Sequence, residues 1–176
     1  MLLLILYPLL RVFDLAAIAK ICRERGIRLV PELDIPGHSA ALRKALGIRS
    51  MNDPATRTIL KGLLTELASL ATAEDMPWIH IGTDEARGHE KISAATLRTY
   101  FDTVRDCGRR AIRWNPGMDG DPTAILQTWT NRTRPPAKGR EYIDAQENYL
   151  NHCDPCEMVT TLHFRKNCPH KGSKGL

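Results

Sequence analysis

Three stretches of the chain carry apolar residues at the three- and four-residue spacing that is typical of a helix with one buried face. They cover residues 14–25, a stretch that begins near residues 52–54 and runs to 70, and residues 93–108. Asp14 can cap the first of these helices and Ser93 the third, because short polar side chains accept hydrogen bonds from the first free N–H groups of a helix. The pattern therefore predicts three amphipathic helices.

Five short runs are rich in β-branched and other apolar residues, which indicates strands that are buried on both faces. In chain order they are IRLVPELD, MPWIHIG, AIRW, AILQTW and EYIDA. Helices alternate with the first three, and no turn signal joins neighbouring strands as hairpins, so the order favours parallel strands in an α/β fold. A complete eight-stranded barrel needs about 250 residues. The 176-residue chain therefore predicts either an open sheet or part of a barrel.

Polar and aromatic side chains collect where these strands end, at the edge where parallel α/β proteins bind ligands. They are Glu32, Asp34, His38, His80, Asp84, Glu85, Trp114, Trp129, Asn148, Tyr149 and Asn151. Adjacent carboxylates such as Asp84 and Glu85 repel each other, so one of them should keep its proton to higher pH, as a general acid must. Tryptophan rings beside acids and amides favour a carbohydrate ligand.

The same residues also have structural interpretations. Asp84 and Glu85 can form a strand-terminal cap with salt bridges, and the two rim tryptophans can be core packing. Glu32 can brace the sheet by pairing with an internal Arg or Lys, or it can contact substrate. His38 and His80 can both be core histidines, and for His80 this interpretation is favoured over direct catalysis.

Two motifs, PELDIPGHS and HIGTDEAR, resemble the signatures at the ends of the third and fourth barrel strands in the family 20 glycoside hydrolases, the β-N-acetylhexosaminidases. They occur in the family's order, and a helix of suitable length separates them. QTWT and NYLN are similar to its sixth and seventh strand ends. The resemblance covers about residues 14–154. It implies a partial (β/α)8 TIM barrel, about strands 3 to 7, with an active site at the C-terminal ends of the parallel strands.

The resemblance also implies substrate-assisted retaining hydrolysis of terminal β-linked N-acetylhexosamine residues in glycans or glycoconjugates, with an oxazolinium intermediate and no cofactor or metal. By motif matching, Asp84 orients the acetamido group and Glu85 is the general acid and base. Trp114 and Trp129 wall the pocket around the acetamido group. Tyr149 donates a hydrogen bond to its carbonyl.

Other matched positions support this pocket or depart from the family pattern. Asp34 and His38 would form a supporting polar network. Thr83 stands where the family often has Gly, and Asn151 stands where it usually has Asp, which weakens a contact with a sugar hydroxyl. The first barrel strand with its sugar-binding Arg, and the eighth with its Trp and Glu, have no counterpart here. We therefore expect the isolated chain to be inactive.

The chain divides into an apolar segment at residues 1–13, a partial barrel at 14–155, and a C-terminal segment at 156–176 with a basic, flexible tail. The first segment is too short for a membrane span and fits a buried strand, a helix piece or a secretion signal. Much of the net charge of +5 sits in the tail, which argues against a nucleic-acid partner. The resemblance favours a secreted or periplasmic parent protein, and the oligomeric state stays open.

Five cysteines, an odd number, exclude a complete disulfide framework. Cys22 and Cys107 lie on apolar helix faces and are predicted to be buried. A zinc site is an alternative interpretation of the C-terminal group Cys153, Cys156, Cys168 and His170. Two other hypotheses rank above it. They are a non-catalytic or degenerate carbohydrate-binding relative of the same fold, and a barrel glycosidase with Asp34 or Glu32 as nucleophile.

Overall fold

The computed structural model describes residues 12–84, 91–130, 138–145 and 174–175. Its sheet has six strands, all parallel, whose order in space follows their order along the chain. They are β1 Glu32–Ile35, β2 Trp78–Gly82, β3 Arg110–Asn115, β4 Ile125–Thr128, β5 Glu141–Asp144 and β6 Lys174–Gly175. The predicted parallel α/β fold is confirmed.

Within the described ranges, four helices accompany the sheet: α1 Val12–Glu24, α2 Ala40–Leu46, α3 Pro54–Ser69 and α4 Ala94–Asp106. The three predicted helices are confirmed to within two residues at each end. The side chain of Asp53 caps α3 by accepting from the N–H of Ala55 at 2.8 Å, and the Ser93 hydroxyl caps α4. Asp14 lies in the first turn of α1 and not before it. The seven residues of α2 are too few to show a helical period, so the sequence does not predict this helix.

The edges of the sheet differ from the prediction. The first strand was expected from residue 27, but β1 contains four residues only. Within the described sheet β1 pairs with β2 alone, so residues 27–31 have few neighbours, and Ile27 is 54% exposed. At the other edge, Lys174 and Gly175 pair with β5, inside the segment where composition predicts a flexible tail. A two-residue strand leaves no readable pattern.

One face of the sheet is covered by α3 and α4. Ile35 of β1 and Ile79 and Ile81 of β2 are fully buried there. The helices contribute Leu60, Leu63, Leu64, Leu67 and Ala68 from α3, and Leu97, Tyr100, Phe101 and Val104 from α4. The Tyr100 hydroxyl donates to the carbonyl oxygen of Met51 at 3.3 Å, and burial raises the pKa of Tyr100 to about 12. This apolar layer fixes the position of β2, whose far end carries the site.

The first helix is less buried than this layer. Ile18 and Ile21 on α1 are 37% and 48% exposed, although Ala19 is fully buried. The prediction that Cys22 and Cys107 are buried is wrong, because both are half-buried. Cys22 lies on the sparsely covered α1, and Cys107 lies at the end of α4. No helix within the described ranges is long and apolar enough to cross a membrane.

Candidate functional site

The carboxyl ends of β1 and β2 lie side by side and bring acidic side chains to one edge of the sheet. Glu32 stands opposite His80, and Ile35 stands opposite Gly82, so β1 has one residue more than β2 between these pairs. Such a bulge re-aims the side chains beside it. Asp84 follows β2 by two residues and is buried, with 8% of its surface exposed.

Gly82 allows Asp34 to approach the end of β2. A Cβ atom at this position would stand 1.8 Å from Asp34 Oδ1 and 2.9 Å from the backbone nitrogen of Ile35. The φ angle of Gly82 is also +67°, in the left-handed region that favours glycine. Two physical constraints therefore favour glycine at this position of the HIGTDEAR motif. They are the close approach of Asp34 and the left-handed backbone conformation.

Thr83 continues the left-handed backbone with a φ of +82°. It is held from both sides: its N–H donates to the carbonyl oxygen of Ile35 at 2.9 Å, and its own carbonyl accepts from the N–H of Met118 at 2.7 Å. A β-branched residue in this region is strained. Threonine in place of glycine at this position should therefore destabilise the fold more than the small change in side-chain size suggests. These two residues turn the chain immediately before Asp84.

Three side chains from three adjacent strands contact one another beside these acids. Glu32 Oε1 lies 2.9 Å from Trp114 Nε1 and 3.0 Å from His80 Nδ1. The His80 and Trp114 rings lie 4.5 Å apart between centroids and are tilted by 57°. The side chain of His80 is 4% exposed and that of Glu32 is 40% exposed.

The Glu32 carboxyl has a pKa below its usual value. Partial burial acts to raise this pKa, but four effects together outweigh it. They are the hydrogen bond from His80, the charge that His80 carries when protonated, the hydrogen bond from Trp114, and the nearby charge of His38. Glu32 is therefore ionised at neutral pH. The brace interpretation expected an Arg or Lys partner, whereas the partners observed are a histidine and a tryptophan.

The two predicted pocket tryptophans are both half-buried. Trp114, on β3, stands opposite Gln127 of β4. Trp129 directly follows β4, and its Nε1 is buried with no hydrogen-bond partner among the residues that the structure describes. His38 is exposed, with a φ of +46°, in the turn that follows β1.

Three predicted site residues, Glu85, Tyr149 and Asn151, lie outside the described residues. The sharing of one pocket by Asp84 and Glu85 stays a prediction. The zinc hypothesis rests on residues that also lie outside: Cys153, Cys156, Cys168 and His170. Within the described ranges, no group of three or more His, Cys, Asp or Glu side chains could hold a metal ion.

Sequence reasoning did not predict the contacts of Glu32 with His80 and Trp114. The sequence does indicate which way Glu32 points, because Glu32 and Asp34 are two residues apart and share a face of their strand. The missing information was the register between β1 and β2, which the bulge shifts. Only that register shows that Glu32 stands opposite His80.

Comparison with known proteins gives a consistent set of relatives, although no family model matches the chain. A β-N-acetylhexosaminidase from Cellulomonas fimi is 31% identical over 139 residues, which covers 66% of this chain and 27% of that protein. A β-hexosaminidase from Vibrio furnissii is 27% identical over 150 residues, covering 60% of this chain and 24% of that protein. The chain thus spans about a quarter of the length of these relatives.

Solved structures show the same relationship at the level of fold. The GH20 exo-β-N-acetylglucosaminidase from Vibrio harveyi matches with a TM-score of 0.57 and 21% identity, over 68% of this chain and 25% of that one. The chitobiase of Flavobacterium johnsoniae matches with a TM-score of 0.58 and 22% identity, over 68% and 24%. Both support the predicted partial TIM barrel. The chain is therefore similar to β-N-acetylhexosaminidases over 60–66% of its length, and it has the fold of part of the barrel in these solved structures.

Proposed function

We propose that the whole protein hydrolyses terminal non-reducing β-linked N-acetylhexosamine residues, and that this chain supplies the acetamido-binding side of its active site. The observation that best supports this is Asp84, a buried carboxylate at the end of β2, at the edge that Asp34 also reaches. The Vibrio harveyi relative is described in complex with N-acetylglucosamine, which supports an N-acetylhexosamine as substrate.

Asp84 would act on the acetamido group of the substrate. Its carboxylate accepts a hydrogen bond from the amide N–H and turns the amide oxygen towards the anomeric carbon. As that oxygen attacks, positive charge develops on the amide nitrogen. A carboxylate shielded from water interacts strongly with such a charge, so the burial of Asp84 suits this role.

Glu85 would move the proton in both halves of the reaction. It first gives its proton to the glycosidic oxygen as the bond from that oxygen to the anomeric carbon breaks. It then takes a proton from the water molecule that attacks the same carbon, which opens the oxazolinium ring and restores the acetamido group. Two displacements at one carbon leave its configuration retained. Since the substrate supplies the nucleophile, no second carboxylate on an opposing strand is needed.

The remaining predicted site residues would shape the pocket. Trp114 and Trp129 would enclose the acetamido group, and Tyr149 would donate to its carbonyl oxygen. Asp34 would support Asp84 across Gly82. In the same proposal His38 extends this polar support, and Asn151 contacts a sugar hydroxyl.

The chain spans about a quarter of the length of its relatives, so we expect little turnover from its 176 residues alone. A secreted or periplasmic location of the whole protein remains an expectation from the family resemblance. The substrate class itself can be tested on the chain by binding as well as by turnover. A thiazoline mimic of the oxazolinium intermediate is the appropriate probe.

The experiment measures hydrolysis of a chromogenic β-N-acetylglucosaminide and thiazoline affinity for the unmodified chain and for Asp84→Asn and Glu85→Gln. Asp84→Asn should weaken thiazoline binding strongly, and it should lower any turnover by about 10²- to 10³-fold. Glu85→Gln should lower turnover by about 10²- to 10⁴-fold with a smaller effect on affinity. Asp102→Asn, which removes a partly exposed carboxylate on α4, is the matched control and should change neither.

The competing functions give different results in the same assays. A non-catalytic relative would bind the thiazoline but show no turnover, even in a longer chain that completes the barrel. A glycosidase with Asp34 or Glu32 as nucleophile would form a covalent glycosyl-enzyme that mass spectrometry detects, and it would not be inhibited by the thiazoline. Unchanged thiazoline affinity in folded Asp84→Asn would contradict the role given to Asp84.

A further inference from the structure

Glu32 is a side chain to which the reaction scheme above gives no task, although it connects the first three strands of the sheet. Its Oε1 atom accepts from Trp114 Nε1 at 2.9 Å and lies 3.0 Å from His80 Nδ1. We propose that Glu32 is a positioning residue that holds the Trp114 indole in one orientation, with His80 as the brace between them. This inference rests on the proposed function, because the orientation of Trp114 matters only if the indole packs against a bound sugar.

His80 is positioned by two close contacts at one ring nitrogen. Its Nδ1 lies 3.1 Å from the backbone nitrogen of Gly82, within hydrogen-bond distance, and 3.0 Å from Glu32 Oε1. The imidazole is therefore held between its own strand and the Glu32 carboxyl.

The other ring nitrogen of His80, Nε2, is buried and has no hydrogen-bond partner among the residues described. The buried imidazole is tilted against the Trp114 ring, with 4.5 Å between the ring centroids.

Trp114 is thus held at two points, at its N–H by Glu32 and at its ring by His80. An indole has two side-chain torsions, and the hydrogen bond removes the freedom to turn the ring over. A bond to a charged acceptor is among the stronger ones in proteins. Since Trp114 is half-buried, one part of the ring is left for a ligand, and its orientation decides how well a sugar can pack on it.

The test combines a spectroscopic measurement with binding, on the full 176-residue chain. The three tryptophans give three indole N–H signals in a ¹H–¹⁵N NMR spectrum, and Trp114→Phe identifies the signal of Trp114. Glu32→Ala should shift this signal selectively and weaken N-acetylglucosamine-thiazoline binding by on the order of 10-fold. Where turnover can be measured, the loss should fall on KM and not on kcat.

Two further variants keep the test decisive. Glu32→Gln keeps the length and an acceptor oxygen, so it should restore part of both the signal position and the affinity. Glu24→Ala removes an exposed acid from the end of α1 and should change neither. If Glu32→Ala lowers stability so far that all three signals change, Glu32→Gln alone decides.

The proposal is overturned if the Trp114 signal stays in place in folded Glu32→Ala, or if it moves in folded Glu32→Ala or Glu32→Gln without loss of affinity. Failure of the proposed function looks different. In that case the unmodified chain does not bind the thiazoline at all, whereas the signal shift in Glu32→Ala still reports whether Glu32 holds the indole.

Discussion

The two faces of β2 differ in composition and in what they contact. Ile79 and Ile81 point into the apolar layer beneath α3 and α4, and both are fully buried. His80 and Gly82, which alternate with them, face Glu32, Asp34 and Trp114. One strand of five residues therefore takes part in the core on one side and in the candidate site on the other.

The alternation of side chains along β2 therefore separates the residues that stabilise the fold from the residues of the candidate site. On the helix side, apolar side chains lose contact with water and gain close packing, which is the main source of stabilisation. On the site side, polar groups are held by specific hydrogen bonds, and the backbone is strained at Thr83. A substitution should therefore affect stability strongly on one side and ligand binding on the other.

The largest stability effect is expected in the helix layer. Leu64 on α3 is fully buried in the apolar cluster, and Leu64→Ala should lower the free energy of unfolding by about 2 to 5 kcal/mol because it leaves a cavity. Gln127→Ala is the comparison on the other face, where the half-buried side chain stands opposite Trp114, and it should cost less than about 1 kcal/mol. Urea unfolding measures both. Equal losses in the free energy of unfolding would contradict the expected difference between the two faces.

How much of this contrast the sequence predicts depends on the kind of signal. Helical spacing gives α3 and α4 to within two residues, because the period of a long amphipathic helix is repeated several times. The strand ends are predicted as well, since β-branched runs stop at polar residues. The apolar side of the sheet was therefore readable from pattern alone.

The contacts within the site were not readable in the same way. Glu32 meets His80 only because of a shifted register, and no local pattern encodes a shift between strands that lie almost fifty residues apart. The left-handed conformation of Thr83 is hidden too, since threonine is a poor residue for it. Long-range register and backbone strain are properties of the assembled fold.

A second prediction concerns the glycine that separates β2 from Asp34. Gly82→Ala forces a left-handed φ on alanine and brings its Cβ against Asp34 Oδ1, so we expect a loss of about 3 kcal/mol. Gly108→Ala is the matched control, because Gly108 has a φ of +70° but no atom within 4 Å of the added Cβ. It should cost about 1 to 2 kcal/mol. The difference between them, measured by urea unfolding, isolates the contact with Asp34.

The same two variants should also differ in their effect on ligand affinity. Gly82→Ala should also weaken thiazoline binding, since Asp34 must move away from the end of β2, whereas Gly108→Ala should leave affinity unchanged. If the two variants lost equal stability and equal affinity, the approach of Asp34 to Gly82 would have no role of its own.

The smallest expected effect, and the only gain, is at Thr83. Thr83→Gly removes a Cβ from a left-handed backbone and a buried hydroxyl that has no hydrogen-bond partner among the described residues. Against these gains stand the backbone entropy of glycine and the loss of a buried methyl group, so the net stabilisation should be about 1 kcal/mol. Thr83→Ala also removes the hydroxyl and methyl but keeps the Cβ, so it should leave stability almost unchanged. The gap between Gly and Ala in urea unfolding thus measures the strain stored immediately before Asp84. A glycine variant less stable than the alanine variant would show that this backbone is relaxed, and that strain does not distinguish the site side of β2 from its helix side.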